Sequence, residues 1–299
     1  GAGEREGNPM TLCHLSMLLR ALSSGQASGG IDALLSESVA LAKESVRLDM
    51  SSPRAWSGLG AAHLSLHLHV SSEAEDLHLA NRAFTQASKV GASQDDADLL
   101  ANHATVQMML DCPEPALRHF SRAHELDPSP EFLGKRADVW ASVTKISEAI
   151  AAKRSSVRKL TSQMPEQPPA QQGSSVSLLS HLALGDNPGK VVLVRVVVPV
   201  PQVGMRQVAA HQVLIVTDIN EDLMAVTLYA LRGIAPLETG TTLEIREPTL
   251  LKVEATKFWE PNEGVSTPTA GYHLLRVEQP TTQLRIDGQA VRPMRRAAR

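Results

Sequence analysis

The sequence has few cysteines, no long apolar run and almost no excess charge. Only Cys13 and Cys112 occur in 299 residues, which is too few for a disulfide framework, so we expect a reducing compartment. No run reaches the roughly 18 apolar residues of a membrane helix, so we expect no membrane span. The formal net charge of -3 predicts neither a general polyanion binder nor a disordered acidic tail.

The beginning of the chain lacks the features of a targeting segment. GAGEREGNPM contains no apolar stretch of the kind found in signal peptides. The repeat motifs described below start without an initiating methionine or a capping helix ahead of them. We therefore expect a sequence that is incomplete at its N-terminus.

Sequence patterns of common catalytic sites are also missing. The chain contains no G-x-S-x-G motif, no phosphate-binding loop and no H-E-x-x-H motif. His63 and His67 are four residues apart on a predicted helix and could bind a metal ion, but no third ligand is evident. A structural role is therefore favoured for both histidines. We predict no enzymatic activity, no cofactor and no metal site.

One spacing of alanine and phenylalanine occurs twice in the N-terminal half. The residues are Ala80, Phe84 and Ala87, and then Ala116, Phe120 and Ala123 followed by Pro128. An earlier segment has the W-x2-L-G pattern as Trp56, Leu59 and Gly60. These are signature positions of the tetratricopeptide repeat, a pair of antiparallel helices of about 34 residues. Stacked pairs form an extended surface that binds other chains, so the pattern predicts a binding protein.

The pattern changes after a polar, proline-rich segment over 161–177, which we interpret as a linker. Lys190–Val200 is almost entirely β-branched, and more strand-like segments follow with turns but no long helices between them. We therefore predict a helical repeat domain over 1–160, a small antiparallel β-barrel or sandwich over 178–293 and a basic tail over 294–299.

A small barrel of this size can be an OB-fold, which binds single-stranded nucleic acid on aromatic rings along a basic groove. The C-terminal half has few aromatic rings, namely those of Tyr229, Phe258, Trp259 and Tyr272. Basic and acidic residues are equally numerous there, and no basic strand face is evident. A protein-binding or structural barrel is therefore favoured.

A basic cluster lies at the end of the last repeat helix, which we predict to run from Glu131 to about Leu160. It consists of Lys153, Arg154, Arg158 and Lys159. These residues can stabilise the C-terminus of the helix through its dipole. They can equally contact an anionic partner such as RNA phosphates. The residues alone leave both interpretations open.

Several segments together resemble one known family. They are LSMLLRAL, ESVRLDMSSPRAWSGLGAAHLSL, ALRHFSRAHELDPSPE, IREPTLLKV and LRVEQPTTQLRIDGQAVRP. This combination is similar to the Strap family, also called tetratricopeptide repeat protein five, over nearly the whole chain. The resemblance implies α and β elements in separate domains, a repeat solenoid followed by an OB-fold. It also implies an adaptor that is not an enzyme.

The family resemblance implies two alternative roles, in the cytoplasm and the nucleus. In the first, the protein binds the N-terminal Met-Arg-Glu segment of nascent tubulin at the ribosome, and decay of the tubulin mRNA follows. In the second, it is a stress-response cofactor that scaffolds an acetyltransferase coactivator, with contact to chromatin or DNA through the barrel. A chaperone-binding carboxylate clamp ranks last, because it needs Lys and Asn on successive first helices and only Asn102 fits.

The resemblance also implies roles for individual residues. Arg20 would pair with the glutamate of the peptide, while Asp98 and Glu131 would hold its arginine or α-amine. Both acids lie at the start of a predicted first helix, and first helices line the repeat groove. Asn102, one turn after Asp98, could bond the peptide backbone. For each residue a solvated side chain or a helix cap is the alternative.

The basic cluster also has a counterpart in the family. Arg158 and Lys159 match family positions that contact ribosomal RNA, which shifts the interpretation of the cluster toward a binding role. Ser155 and Ser156 replace part of the lysine run of the family, so we expect a weaker or displaced contact.

Overall fold

The computed structural model describes residues 7–23, 30–91, 96–153, 157–162, 164, 175–202, 211–231, 234–257 and 268–292. The chain forms two compact units, Gly1–Ala137 and Asp138–Arg299. The division falls within the last long helix, ahead of position 160, where the sequence predicts the end of the helical domain. None of the described helices combines the length and the apolar character that crossing a membrane requires.

The first unit is helical. Its helices are α1 Pro9–Ser23, α2 Ile31–Leu48, α3 Pro53–Leu66, α4 Ala74–Val90, α5 Ala97–Met109 and α6 Pro113–Leu126. Helix α7, Pro130–Lys153, begins in this unit and continues into the second one. Contacts pair α1 with α2, α3 with α4 and α5 with α6, as the repeat spacing predicts. The first helices also meet, because α1 contacts α3 and α3 contacts α5.

Small residues allow the helices of a pair to approach closely. Phe84 on α4 is fully buried, and a Cβ atom on Gly60 of α3 would lie 2.9 Å from atoms of its ring. The flanking Ala80 and Ala87 have no exposed surface. In α6, Phe120 is buried in the same way between Ala116 and Ala123. The alanine and phenylalanine spacing therefore marks the buried helix faces, as predicted.

Serines provide the close contact between α1 and α2. Ser38 Oγ donates a hydrogen bond to the Ser16 carbonyl oxygen at 2.9 Å and lies 2.9 Å from Ser16 Oγ. Ser45 Oγ donates to the Pro9 carbonyl oxygen at 2.7 Å. Each buried hydroxyl has a partner, so these polar residues pack closely without the penalty of an unsatisfied group.

The second unit is mainly one curled β-sheet. Its strands are β1 Ser175–Val176, β2 Gly185–Asp186, β3 Lys190–Val200, β4 Gln212–Thr217, β5 Leu223–Leu228, β6 Thr242–Arg246, β7 Thr249–Thr256, β8 Thr269–Val277, β9 Leu284–Ile286 and β10 Gln289–Ala290. Their order is β10-β9-β6-β3-β4-β5-β8-β7-β2, with β1 beside β3. Short helices α8 Arg158–Thr161 and α9 Pro280–Gln283 and a 3-10 turn, Leu179–His181, accompany the sheet.

The sheet is mixed, whereas the sequence predicts an antiparallel one. The pairs β1–β3 and β5–β8 run parallel. The chain forms β6 and β7 between β5 and β8. After this crossover β8 runs parallel to β5, whereas neighbouring strands of a simple meander are antiparallel. Only Glu247 and Pro248 separate β6, which pairs with β3, from β7, which pairs with β8. Proline has no N–H to donate, so the ladder breaks there and the chain changes partner.

Both faces of the sheet are buried. The inner face packs a cluster that includes Val194, Val226 and Leu275. The outer face packs a second cluster in which Ile146 of α7 lies with Ile215 and other strand residues. The second half of α7 therefore groups with the sheet. A shift of register between Val196 and Val198 lets β3 contribute valines to both clusters.

The end of the last long helix differs from the sequence prediction. A continuous helix from Glu131 to about Leu160 is wrong, because α7 ends at Lys153 and α8 begins at Arg158. Val157, directly before α8, lies outside both helices. Residues 154–156 lie outside the described residues, as do the basic tail and most of the predicted linker.

Alanine at two helical glycines tests the close packing. Gly60→Ala places a methyl group against the buried Phe84 ring, and we expect the free energy of unfolding to fall by about 1–3 kcal/mol. Gly134 lies exposed on α7, and a Cβ atom added there would meet no other atom within 4 Å. Gly134→Ala should therefore raise the free energy of unfolding by about 1 kcal/mol. Urea unfolding followed by circular dichroism at 222 nm measures both. Equal responses at the two positions would contradict the packing argument.

Candidate functional site

Arg20 lies near the end of α1 and is half-buried against α3. Its Nη1 donates a hydrogen bond to the Gly58 carbonyl oxygen at 2.9 Å. Two turns earlier on the same face, the Cys13 thiol donates to the Arg54 carbonyl oxygen at 3.6 Å. Burial lowers the pKa of the Arg20 guanidinium and raises that of the Cys13 thiol. The guanidinium is thus oriented by a neighbouring first helix, in a setting that strengthens its attraction to an anion.

Asp98 and Asn102 lie one turn apart on the same face of α5. Asp98 is exposed and Asn102 is half-buried. Within the described part of the chain, neither side chain has a hydrogen-bond or ion-pair partner. Helix α5 is capped instead by Asp96, whose side chain accepts a hydrogen bond from the Leu99 N–H at 3.0 Å. The Asp98 carboxylate is therefore not needed as the cap and is available to a ligand.

Glu131 lies in the first turn of α7 and is paired within its own helix. Its Oε1 lies 2.6 Å from Lys135 Nζ, and the hydrogen bond from Lys135 lowers the pKa of the Glu131 carboxyl. The pair is largely exposed, so it is weak and can exchange with another cation. Of the four predicted peptide-binding residues, the structure places Asp98 and Asn102 side by side. Arg20 is separated from them by α3.

A polar network lies on another face of α5, about 140° around the helix from Asp98. His103 Nε2 is 2.9 Å from Asn81 Oδ1 of α4 and 3.2 Å from Gln107 Nε2. His119 Nδ1 of α6 is 2.8 Å from Gln107 Oε1. The network joins three helices, and sequence reasoning missed it. The available signal was the spacing of His103 and Gln107, which puts both on one side of a predicted helix.

The two histidines of this network are held neutral. Their ring centroids are 4.8 Å apart, and His103 also stacks on Phe84 at 5.7 Å. Burial, and to a smaller degree the electrostatic repulsion that a second protonated ring at His119 would add, lowers the pKa of His103 to about 3. Burial also lowers the pKa of His119. The network is therefore a structural element that tolerates protonation poorly.

The histidines considered as metal ligands have structural partners. His63 Nδ1 lies 2.9 Å from Asp76 Oδ1, and Ser71 Oγ donates to Asp76 Oδ2 at 2.6 Å. Burial opposes ionisation of Asp76, but these hydrogen bonds leave its pKa below the usual value. His67 Nδ1 is 2.8 Å from the Glu73 carbonyl oxygen. These contacts fix a π-helical turn, His67–Ser71, that links α3 to α4. The described residues contain no group of three side chains able to hold a metal ion.

The basic cluster is only partly covered by the structure. Arg154 lies outside the described residues, and Lys153 closes α7. Arg158 and Lys159 are exposed on α8, while the adjacent Val157 is buried in the outer core of the sheet. No residue of the described ranges forms an ion pair with Arg158 or Lys159. The buried Val157 thus fixes the position of α8, and the charged side chains of Arg158 and Lys159 remain exposed.

The helix pairs and their alanine–phenylalanine packing have the architecture of tetratricopeptide repeats. The chain is 31% identical over 209 residues to "Tetratricopeptide repeat protein 5" of Bos taurus, an alignment that covers 64% of this chain and 47% of the relative. The human protein of the same name is 30% identical with the same coverage. The resemblance inferred from the sequence is therefore confirmed over about two thirds of the chain, and its extension to nearly the whole chain stays a prediction. The chain spans about half the length of the curated relatives it matches.

Solved repeat structures are more distant. The first TPR domain of human RPAP3 is 15% identical with a TM-score of 0.33, covering 48% of this chain and 98% of that chain. YrrB, described as a TPR protein with an unusual peptide-binding site, is 21% identical with a TM-score of 0.36, covering 52% and 70%. Scores this low support no argument about this chain. No protein-family profile matches the sequence.

The neutral histidine network predicts a loss of stability in mild acid. The folded state lowers the pKa of His103 to about 3, so the unfolded chain binds more protons as the pH falls below about 6.5. The free energy of unfolding should therefore fall by up to about 1.4 kcal/mol per pH unit from pH 6.5 downward. Urea unfolding between pH 7.5 and 4.5, followed at 222 nm, measures this slope.

His103→Gln should flatten the profile, whatever its effect on stability at pH 7.5. The matched control is His14→Gln, because His14 is exposed on α1. A wild-type stability that is constant over this range, or an unchanged slope in His103→Gln, would contradict the prediction.

Proposed function

We propose that the chain is a non-enzymatic adaptor that binds the N-terminal Met-Arg-Glu segment of nascent tubulin at the ribosome and thereby promotes decay of tubulin mRNA. The similarity to tetratricopeptide repeat protein 5 supports the adaptor role of the helical unit. The main support for the peptide proposal is that Asp98 and Asn102, on a first helix, have no side-chain partner within the described residues.

The charges of the peptide suit the charges on the first helices. A free Met-Arg-Glu terminus carries an ammonium, a guanidinium and a carboxylate. Asp98 would accept hydrogen bonds from one of the cations, and Asn102 would bond the peptide backbone. Arg20 would bind the glutamate. Because its guanidinium is already held by the Gly58 carbonyl, little side-chain entropy is lost on binding.

The distance between the two charged positions sets the conformation of the peptide. Neighbouring helices are about 8–10 Å apart, so α1 and α5, with α3 between them, are separated by about 16–20 Å. Consecutive side chains of an extended peptide point in opposite directions. The arginine would then extend toward Asp98 and the glutamate toward Arg20. Glu131 would join only after its ion pair with Lys135 opens, so we assign it a secondary role.

We also propose that the sheet is an OB-fold. The support is its strand path, in which β3, β4 and β5 form a meander and β8 lies parallel to β5. If β6 and β7 are taken as one bent strand, the path returns from β8 to β3, as in a Greek-key barrel.

The described tyrosines of the sheet do not favour a nucleic-acid platform. The Tyr229 ring is fully buried beside His211, with centroids 4.4 Å apart, and Tyr272 packs on the outer core. Exposed rings are what single strands stack on. We therefore favour a protein-binding or structural barrel. Scaffolding of an acetyltransferase coactivator is the alternative function, and salt-sensitive DNA binding by the chain would support it.

The peptide site is tested by neutralising Asp98. In Asp98→Asn, we expect the Kd for a fluorescent peptide beginning with a free Met-Arg-Glu to rise about tenfold or more, because a charge-assisted hydrogen bond is lost. Fluorescence anisotropy measures the Kd. The matched control is Glu125→Gln on α6, which removes an exposed carboxylate that pairs with Arg122. Equal binding of a Met-Glu-Arg peptide, or no effect of Asp98→Asn, would sink the proposal.

The ribosome contact is tested separately at α8. Arg158→Glu with Lys159→Glu should reduce co-sedimentation with ribosomes at low salt and leave peptide affinity unchanged, because exposed cations that neutralise phosphates act through charge. Lys43→Glu with Lys89→Glu is the control, since both lysines are exposed on the helical unit. Equal loss in the two double variants would show a nonspecific charge effect and contradict a site at α8.

A further inference from the structure

A cleft of about 540 Å³ lies in the second unit between the β4–β5 turn and the 3-10 turn Leu179–His181. Its volume is within the range of about 300–1,000 Å³ that is typical of ligand pockets. Its floor is apolar and includes the buried side chains of Leu182, Met224 and Leu250. The cleft has no role in the proposed peptide site, which lies in the helical unit.

The polar lining of the cleft is acidic and without partners. Ser180, Glu221, Asp222 and His273 line it. In the portion of the chain that the structure describes, none of these four side chains has a hydrogen-bond or ion-pair partner. The charge presented to a ligand is therefore that of two carboxylates.

Two lysines close to this lining are engaged elsewhere. Lys190 Nζ donates to the His181 carbonyl oxygen at 2.8 Å. Lys252, opposite His273 in the β7–β8 ladder, pairs with Glu254 at 2.7 Å. These contacts give both ammonium groups another acceptor, and neither lysine forms an ion pair with Glu221 or Asp222 in the described part of the chain.

One buried carboxylate fixes both sides of the cleft. Asp218 Oδ2 accepts a hydrogen bond from the Leu179 N–H at 2.9 Å, and its Oδ1 accepts from the N–H groups of Asn220 and Asp222 at 3.0 and 3.1 Å. Burial, and to a smaller degree the charge of Asp222, raises the pKa of Asp218. The cleft is thus a preformed feature with a negative potential, and a ligand need not order it.

We infer that this cleft binds a short segment of a partner protein in which an arginine or lysine lies next to apolar residues. The apolar floor takes leucine or methionine side chains, and Glu221 and Asp222 take the cation by charge-assisted hydrogen bonds. The same carboxylates repel phosphates, so nucleic acid is not the ligand. The inference does not rest on the tubulin proposal, because it concerns the other unit.

The test uses the full chain and a fluorescein-labelled peptide, Gly-Leu-Arg-Met-Arg-Leu-Gly. Anisotropy should show binding whose Kd rises about tenfold or more in the double variant Glu221→Gln with Asp222→Asn. The variant keeps the backbone bonds to Asp218, and its thermal midpoint is compared with that of the wild type. One control should leave the Kd unchanged: Glu238→Gln, which neutralises an exposed acid of the same unit.

Three results would overturn the inference. One is an unchanged Kd in the double variant. Another is equal affinity for a probe with serine in place of leucine and methionine, since the apolar floor would then contribute nothing. The third is binding that appears only after deletion of residues 293–299, because the basic end of this chain would then be the occupant instead of a partner.

Discussion

The close approach of α3 and α4 at Gly60 and Phe84 is the contact on which the helical unit depends. Because Gly60 has no side chain, the Phe84 ring lies against the α3 backbone and leaves its other side to His103 of α5. His103 in turn meets Asn81, and Gln107 connects it to His119 of α6. A continuous set of contacts therefore runs from α3 to α6. It fixes the rotation of α5 about its axis, and this rotation directs Asp98 and Asn102 away from the network.

The second unit is organised by a different constraint, the need to bury two faces of one sheet. Strand β3 serves both, since a shift of register redirects its valines from the inner cluster to the outer one. The outer cluster requires a cover, which Ile146 of α7 provides. The turns at one end of the sheet are held by the buried Asp218 and leave an acidic cleft open. Packing thus determines which side chains remain available for binding.

Local patterns predicted the elements, and tertiary contacts determined the rest. The bounds of the strand Lys190–Val200 follow from its β-branched composition, and the structure has the same bounds. The parallel pairing of β5 with β8 could not be predicted, because pairing partners depend on the crossover through β6 and β7. The sequence also could not show which of Asp96 and Asp98 is the helix cap and which is free to bind a ligand. Both acids suit a helix start, and only the backbone geometry shows that Asp96 is the cap.

The same geometry decides which acid should dominate a peptide site on the first helices. A carboxylate that already holds a cation must release it before binding another, so its net gain is the difference between two similar interactions. Glu131 is in that position, because Lys135 lies 2.6 Å away on the same helix. Asp98 has no such competitor within the described residues, and the half-buried Asn102 beside it lacks a partner as well. An unsatisfied amide next to an unpaired carboxylate gains from any ligand that offers both a donor and a charge. A peptide terminus offers both, which makes α5 the energetic centre of the proposed groove.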